Sequence, residues 1–238
     1  VQGLYNAPTQ VNNVCTIATV PTVLELGAAA FADIGVASSP GTAIFSISGN
    51  VVRPGNYELE LGTPMRELIY DWAGGIAGGR SLKAVIPGGI SMGLMTESEL
   101  DTPLDFNGPG KVGCLGLGTA AVTVIDDQTS MVDVLFNCAR FFAHESCGQC
   151  TPCREGTAWM HKILTRIRMG QGELRDLDLL TEVAGSMGII PGTTICGLSD
   201  GAAWPVKNAI NKFRGEFEDY IRSRRASVTS AQKLMAVH

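Results

Sequence analysis

The chain has 238 residues, 45% of them apolar and 17% charged, enough for one large or two modest domains around a substantial core. A formal net charge of −5 argues against nucleic acid as the main partner, and so sparing a charged surface predicts burial against other subunits. The seven cysteines are odd in number and crowded, unlike a disulfide framework, and predict a reducing compartment.

Membrane insertion is not expected. A span needs about 18 or more consecutive apolar residues, and the longest candidate, residues 19–37, is interrupted by Glu25 and Asp33. The sequence opens on Val1 without a signal-peptide pattern, and residues 1–13 read as the middle of a longer fold, so a preceding portion is expected.

In chain order, residues 11–18 read as a polar loop. A helix is predicted to follow, with Val20, Val23, Leu24, Gly27 and Phe31 on one face. Ser38-Ser39-Pro40-Gly41 marks a turn. From Thr42 the period shortens to that of strands: residues 43–48 and 57–61 are predicted to pair across the Arg53-Pro54-Gly55-Asn56 turn. Thr63 is placed as the cap of a helix with Pro64 at its first position, running to about Trp72. Residues 83–86 and 121–125 read as further strands. Hairpin, helix, then more strands is the order of a small β-grasp, ubiquitin-like unit. Gly74-Gly75 and Gly78-Gly79 are read as a flexible loop of that unit rather than a phosphate cradle. Gly116-Leu117-Gly118 is not a dinucleotide loop, because Ala121 stands where a third glycine is needed and a strand, not a helix, follows.

After Asp127 the pattern is helical. Met131, Val134, Leu135, Cys138, Phe141 and Phe142 form one stripe; Trp159, Met160, Ile163, Leu164 and Ile167 a second; Leu177, Leu180, Ala184 and Met187 a third. Pro205 is taken to open a fourth helix with Val206, Ile210, Phe213, Phe217 and Ile221 inward. Four amphipathic helices with short connections suggest a four-helix bundle. Beyond Ser223 no period is seen, so the tail is expected to be flexible or to lie on a partner.

The chemistry concentrates in Cys147-Gly148-Gln149-Cys150-Thr151-Pro152-Cys153, with Cys196 far downstream. Four thiolates are the ligand set of a [4Fe–4S] cluster, and C-x2-C-x2-C lets one tight loop take three corners. A zinc site, or thiols that are merely buried, are the alternatives; zinc modules usually pair C-x2-C with a second close pair, and here the second group is a single cysteine. Cys153 is placed just before a helix that begins near Arg154, whose N-terminal dipole and guanidinium would favour an added electron. An antiparallel bundle can return the Pro191-Gly192-Thr193-Thr194-Ile195 loop and Cys196 to the same end. Cys15, Cys114 and Cys138 lack ligand spacing, and Cys138 is expected in the core. His144 is read either as a neighbour tuning the cluster or as a packing residue. Arg222, Arg224 and Arg225 are read as a solvated helix end.

The segment from His144 to Gly156, together with Cys196 and Ala203-Trp204-Pro205-Val206, strongly resembles the family of NADH-binding flavoproteins of respiratory complex I and its relatives in NAD-linked hydrogenases and formate dehydrogenases. Gly49-Asn50-Val51-Val52-Arg53-Pro54-Gly55 resembles the start of that family's soluble-ligand-binding β-grasp domain. The resemblance implies an α+β protein in three parts: residues 1–40 as the end of a Rossmann-like flavin domain, 41–128 as the β-grasp domain, and 129–238 as a helical bundle carrying the [4Fe–4S] cluster on Cys147, Cys150, Cys153 and Cys196. It implies that NADH reduces FMN, that single electrons pass to this cluster, and that they leave toward other iron–sulfur subunits of a peripheral arm, on the bacterial cytoplasmic or mitochondrial matrix side. It also implies that Asn12, Asn13 and Thr16 touch FMN; from the residues alone, Asn12 and Asn13 serve equally well as helix caps. Cys15 departs from the glutamate usual there. The family's glycine-rich FMN and NADH loops have no match in this sequence, so the chain by itself is not expected to oxidise NADH. The competing functions are a diaphorase component of a hydrogenase or formate dehydrogenase and a non-enzymatic assembly or scaffold protein.

Overall fold

The computed structural model describes residues 2–188 and 193–235. Its centre is a four-stranded mixed sheet built from β1 (Thr42–Gly49), β2 (Gly55–Glu60), β3 (Leu82–Ile86) and β4 (Ala121–Asp126), in the order β2-β1-β4-β3. β1 pairs antiparallel with β2 and parallel with β4, and β3 pairs antiparallel with β4.

The sheet divides the core in two because side chains alternate across it. Phe45, Ile47, Leu59, Val85, Val122 and Val124 pack one way, onto Met65, Leu68, Ile69, Leu100 and Leu104. Ala84, Ile86 and Ile125 face the other way, toward the helices. Leu82 and Ala84, two apart in one strand, end in different halves. The register shift between them explains it: one extra residue inverts the alternation. Gly49, at the end of β1, has φ +86°, and a Cβ there would sit 2.2 Å from the Val124 carbonyl oxygen, so the parallel pairing of β1 with β4 requires glycine.

Four helices cover that second face: α2 (Met131–Glu145), α3 (Thr151–Arg168), α4 (Arg175–Met187) and α5 (Leu198–Met235). Each sequential pair is in contact, and α5 also packs on α2 and α3. Their apolar stripes meet in one cluster that includes Leu135, Met160, Leu164, Leu180, Ala184, Val206 and Phe217. Ser130 caps α2 by accepting the Asp133 N–H. Pro152, in the first turn of α3, costs no helical hydrogen bond.

Several boundaries differ from the sequence expectations. The N-terminal helix, α1 (Val14–Leu26), takes over most of the expected 11–18 loop, because Asn13 caps it by accepting the Thr16 N–H at 3.2 Å. Its expected inward residues Val20 and Leu24 are exposed. Thr63 does not cap the next helix: its hydroxyl donates to the Glu60 carbonyl, Pro64 is the N-cap, and the single turn Met65–Glu67 opens into a π-helical turn, Leu68–Trp72. Phe141 and Trp159 flank their stripes and are half exposed. Pro205 lies inside α5, which begins at Leu198; Ala202 and Ala203 are buried and extend the apolar face N-terminal to the proline. Phe213 departs from helical geometry (φ −123°, ψ 21°) and divides α5. The helix then continues past Ser223 to Met235, where the sequence shows no period. Pro191 and Gly192 lie outside the described residues. Among the described residues, no helix is long and apolar enough to cross a membrane.

Candidate metal centre

The cysteine loop joins α2 to α3. α2 ends at Glu145, residues 146–150 form the loop, and Cys150 itself is the N-cap of α3. The helix therefore starts three residues earlier than expected, and Cys153 falls in its first turn rather than before it. Cys153 is buried, Cys150 half-buried, and Cys147 and Cys196 exposed. All four are free thiols.

Three contacts shape the loop. Gly148 turns it with φ +78°, a conformation that glycine adopts without steric cost. Arg154 reaches back from α3: its Nη1 donates to the Gly148 carbonyl at 2.6 Å and its Nη2 to Thr151 Oγ1 at 3.5 Å, while its Nε pairs with Glu155 at 3.0 Å. Ser146 Oγ lies 3.4 Å from Cys153 Sγ and also accepts the Gly148 N–H.

The fourth cysteine arrives from the α4–α5 connection. The Ile195 N–H donates to Cys150 Sγ at 3.3 Å, which places the residue before Cys196 against the loop. The expected return of this connection to the C-x2-C-x2-C end is thus seen at Ile195. Among the described residues, no three His, Cys, Asp or Glu side chains converge on a single ion. Four uncommitted thiols on two converging segments, an N–H aimed at one sulfur, a guanidinium across the loop and a helix N-terminus beneath it all suit a sulfur-ligated group of negative charge.

The other cysteines stand elsewhere. Burial pushes the Cys138 and Cys114 thiols up to about 11, which keeps both protonated. Cys138 lies in the helical core as expected, and Cys114 contacts the Leu94 carbonyl in the sheet core. Cys15 is exposed on α1. His144 is exposed in the last turn of α2. Asn12, Asn13 and Thr16 are exposed around the start of α1; the Asn13 side-chain oxygen is used by the cap, leaving its amide group outside that bond.

Residues 133–220 match the family model described as the NADH-ubiquinone oxidoreductase-F iron-sulfur binding region. Residues 44–94 match the SLBB domain. The chain is 45% identical over 222 residues to the NADH-quinone oxidoreductase F subunit of Rickettsia typhi, covering 93% of this chain and 52% of that protein. The chain is a relative of the NADH-quinone oxidoreductase F subunits. Two further F subunits agree: one from Rhizobium meliloti is 47% identical over 94% of this chain and 52% of its own length, and that of Mycobacterium tuberculosis (strain H37Rv) is 46% identical over 91% and 48%. The chain thus spans about half the length of the F subunits it matches. Among solved structures, NAD+-reducing [NiFe]-hydrogenase in the air-oxidized state superposes with a TM-score of 0.79 at 31% identity, over 95% of this chain and 40% of that one. The H2-reduced state gives 0.79 and 32%, over 99% and 40%. The mixed α and β architecture is therefore shared with that hydrogenase chain.

Proposed function

We propose that this chain is an electron-transfer part of a NADH:quinone oxidoreductase, with Cys147, Cys150, Cys153 and Cys196 holding a [4Fe–4S] cluster. The observation that carries the reading is the Ile195 N–H on Cys150 Sγ, because it joins the two cysteine-bearing segments within the matched iron–sulfur region. When bound, such a cluster takes up and releases one electron at a time. The chain's own part is electrostatic and geometric. Four thiolates bring negative charge, and the N-terminal N–H groups of α3, the Ile195 amide and Arg154 offset it. Cys153, buried in the first turn, anchors the loop to the helical core, while Cys147 and Cys196 lie toward the surface, where a neighbouring redox group can approach.

On this reading the whole protein passes electrons from NADH through FMN to the cluster and on to iron–sulfur subunits of a peripheral arm, on the bacterial cytoplasmic or matrix side. FMN mediates because a hydride delivers two electrons together and the cluster accepts one. Asn12, Asn13 and Thr16 are read as part of the FMN site, with the N-terminus of α1 directed at an anionic group. Residues 1–40 are taken as the end of a Rossmann-like flavin domain, 41–128 as a β-grasp domain and 129–238 as a four-helix bundle. The sheet order β2-β1-β4-β3 and the serial packing of α2 to α5 support the latter two.

The second reading is a diaphorase component of a NAD-linked hydrogenase, favoured by the shared fold. The identities favour the quinone-linked reading: 45–47% to F subunits against 31–32% to the hydrogenase. Anaerobic affinity purification from the source cells tests the choice. Co-purification with other iron–sulfur subunits and a membrane-embedded quinone-reducing arm is expected; co-purification with a nickel-containing protein would replace the first reading with the second.

A further inference from the structure

Nearly every described cationic side chain in this protein has a partner. The arginines pair with carboxylates, carbonyls or rings, and Lys83 and Lys212 pair with Glu216 and Glu99. Among the lysines and arginines up to Arg225, Lys111, Lys162 and Lys207 are the ones for which no ion pair, hydrogen bond or ring contact is formed. Two of those three, Lys111 and Lys207, line the same cleft. In a chain of net charge −5, two uncompensated ammonium groups facing one concavity mark a place where an anion would be held.

The cleft has a volume of about 640 Å³ and lies between the loop around Gly113, which precedes β4, and the helices α4 and α5. That size falls within the range of roughly 300–1,000 Å³ typical of small-molecule sites. Its wall is fixed in advance. The Gly113 carbonyl accepts both Trp204 Nε1–H and Asn208 Nδ2–H at 3.0 Å, so the indole cannot turn away. The one acid on the wall, Glu99, is neutralised by Lys212 at 2.7 Å, and Lys212 also donates to the Leu94 and Val112 carbonyls. What remains unpaired is cationic, next to an aromatic ring held in place.

We propose that this cleft binds a small anionic ligand carrying a planar ring, with Lys111 and Lys207 on the anionic group and Trp204 beside the ring. A concave site with a locked indole suits a small molecule better than an acidic protein surface, which would ask for a broad, flat basic face. The site is separate from the cysteine loop and does not depend on the cluster.

Titration calorimetry of the full chain with adenosine monophosphate tests the inference, with adenosine and inorganic phosphate as the two half-ligands. Binding of the monophosphate is expected, weakened about tenfold by Lys111→Gln or Lys207→Gln, since charge-assisted hydrogen bonds are the strong ones. Lys162→Gln should leave it unchanged. Each half-ligand should bind about tenfold more weakly or worse, and Trp204→Phe should abolish the fluorescence change that accompanies binding. The proposal is overturned if the monophosphate does not bind, if both cleft variants bind it as the parent does, or if an oligoglutamate peptide binds the cleft where the monophosphate does not.

Discussion

The Ile195 N–H donates to Cys150 Sγ at 3.3 Å across 45 residues of sequence. One backbone amide thus ties the α4–α5 connection to the N-cap of α3, and it does so at a sulfur. A thiolate at that position gains a donor, and donors to cluster sulfurs raise the reduction potential by stabilising the more negative state. The same contact holds two distant segments together at their sulfur-bearing ends, so a cluster bound there, as proposed, would crosslink them further.

Arg154 makes the loop geometry testable. Its bond to the Gly148 carbonyl closes the turn between Cys147 and Cys150, and its charge stands over the loop. Arg154→Gln should lower the cluster midpoint potential in an EPR-monitored redox titration and speed iron loss on dilution. Arg154→Lys should recover much of the potential but little of the lifetime, because an ammonium supplies the charge without the fork that spans Gly148 and Thr151. An unchanged potential in Arg154→Gln would show that the guanidinium does not act on the cluster.

Lys212 pins α5 to the sheet domain. Its ammonium reaches Glu99 at 2.7 Å with both side chains mostly buried, and bonds two carbonyls as well. Lys212→Met leaves Glu99 and those carbonyls without their cation, and should cost about 2–4 kcal/mol in urea unfolding. The double variant with Glu99→Gln should lose less than the sum of the two single losses. Additive losses would mean that the two residues do not act on each other.

Asp126 contributes to the acid limb of stability. Its carboxylate accepts from Thr129 Oγ1 at 2.6 Å, from the Thr129 N–H at 3.0 Å and from Arg80 Nη1 at 2.5 Å. Those bonds, with Thr129 foremost and Arg80 next, hold its pKa below the ordinary carboxylate value. A depressed folded-state pKa contributes stability that is fully present above the unfolded value, near 3.9, and is lost as pH falls through the folded one. Asp126→Asn should therefore flatten the fall of urea midpoint below about pH 4, whereas an undiminished fall would assign the acid limb to other groups.

Gly49 reports on the parallel β1–β4 pairing. Gly49→Ala forces a Cβ into the Val124 carbonyl at a positive φ, and should destabilise the chain by about 2–4 kcal/mol. Circular dichroism during thermal unfolding reads this directly. A variant as stable as the parent would mean that the strand end relaxes freely.

How much of this was legible in the sequence depends on how local each signal is. The expected meeting of the two cysteine-bearing segments was readable because three cysteines sit in seven consecutive residues and an antiparallel helix pair returns the fourth to them, as the Ile195–Cys150 contact shows. The strands and the inner faces of α3 and α4 followed from periodicity, since Leu164, Leu177 and Leu180 are buried whatever their neighbours do. Pro205 misled because a proline fits a first turn and an interior turn alike, and burial of Ala202 and Ala203 decided the matter. Phe141 and Trp159 misled because a stripe read by residue type alone counts its edges as its centre. The start of α1 was hidden by polar residues that cap a helix as readily as they line a loop. The lysine-lined cleft had no local signal: that Lys111 and Lys207 are unpaired and line one cleft, while Lys212 is neutralised, emerges only when residues far apart in sequence are brought together.

The most direct measurement is the iron and acid-labile sulfide content of anaerobically prepared protein, read beside its low-temperature EPR spectrum after dithionite reduction. About four irons and four sulfides per chain and a reduced-cluster signal are expected in the parent, both lost or converted in Cys196→Ser together with a loosened helical domain. A colourless, iron-free parent, or one holding a single zinc, would contradict the account.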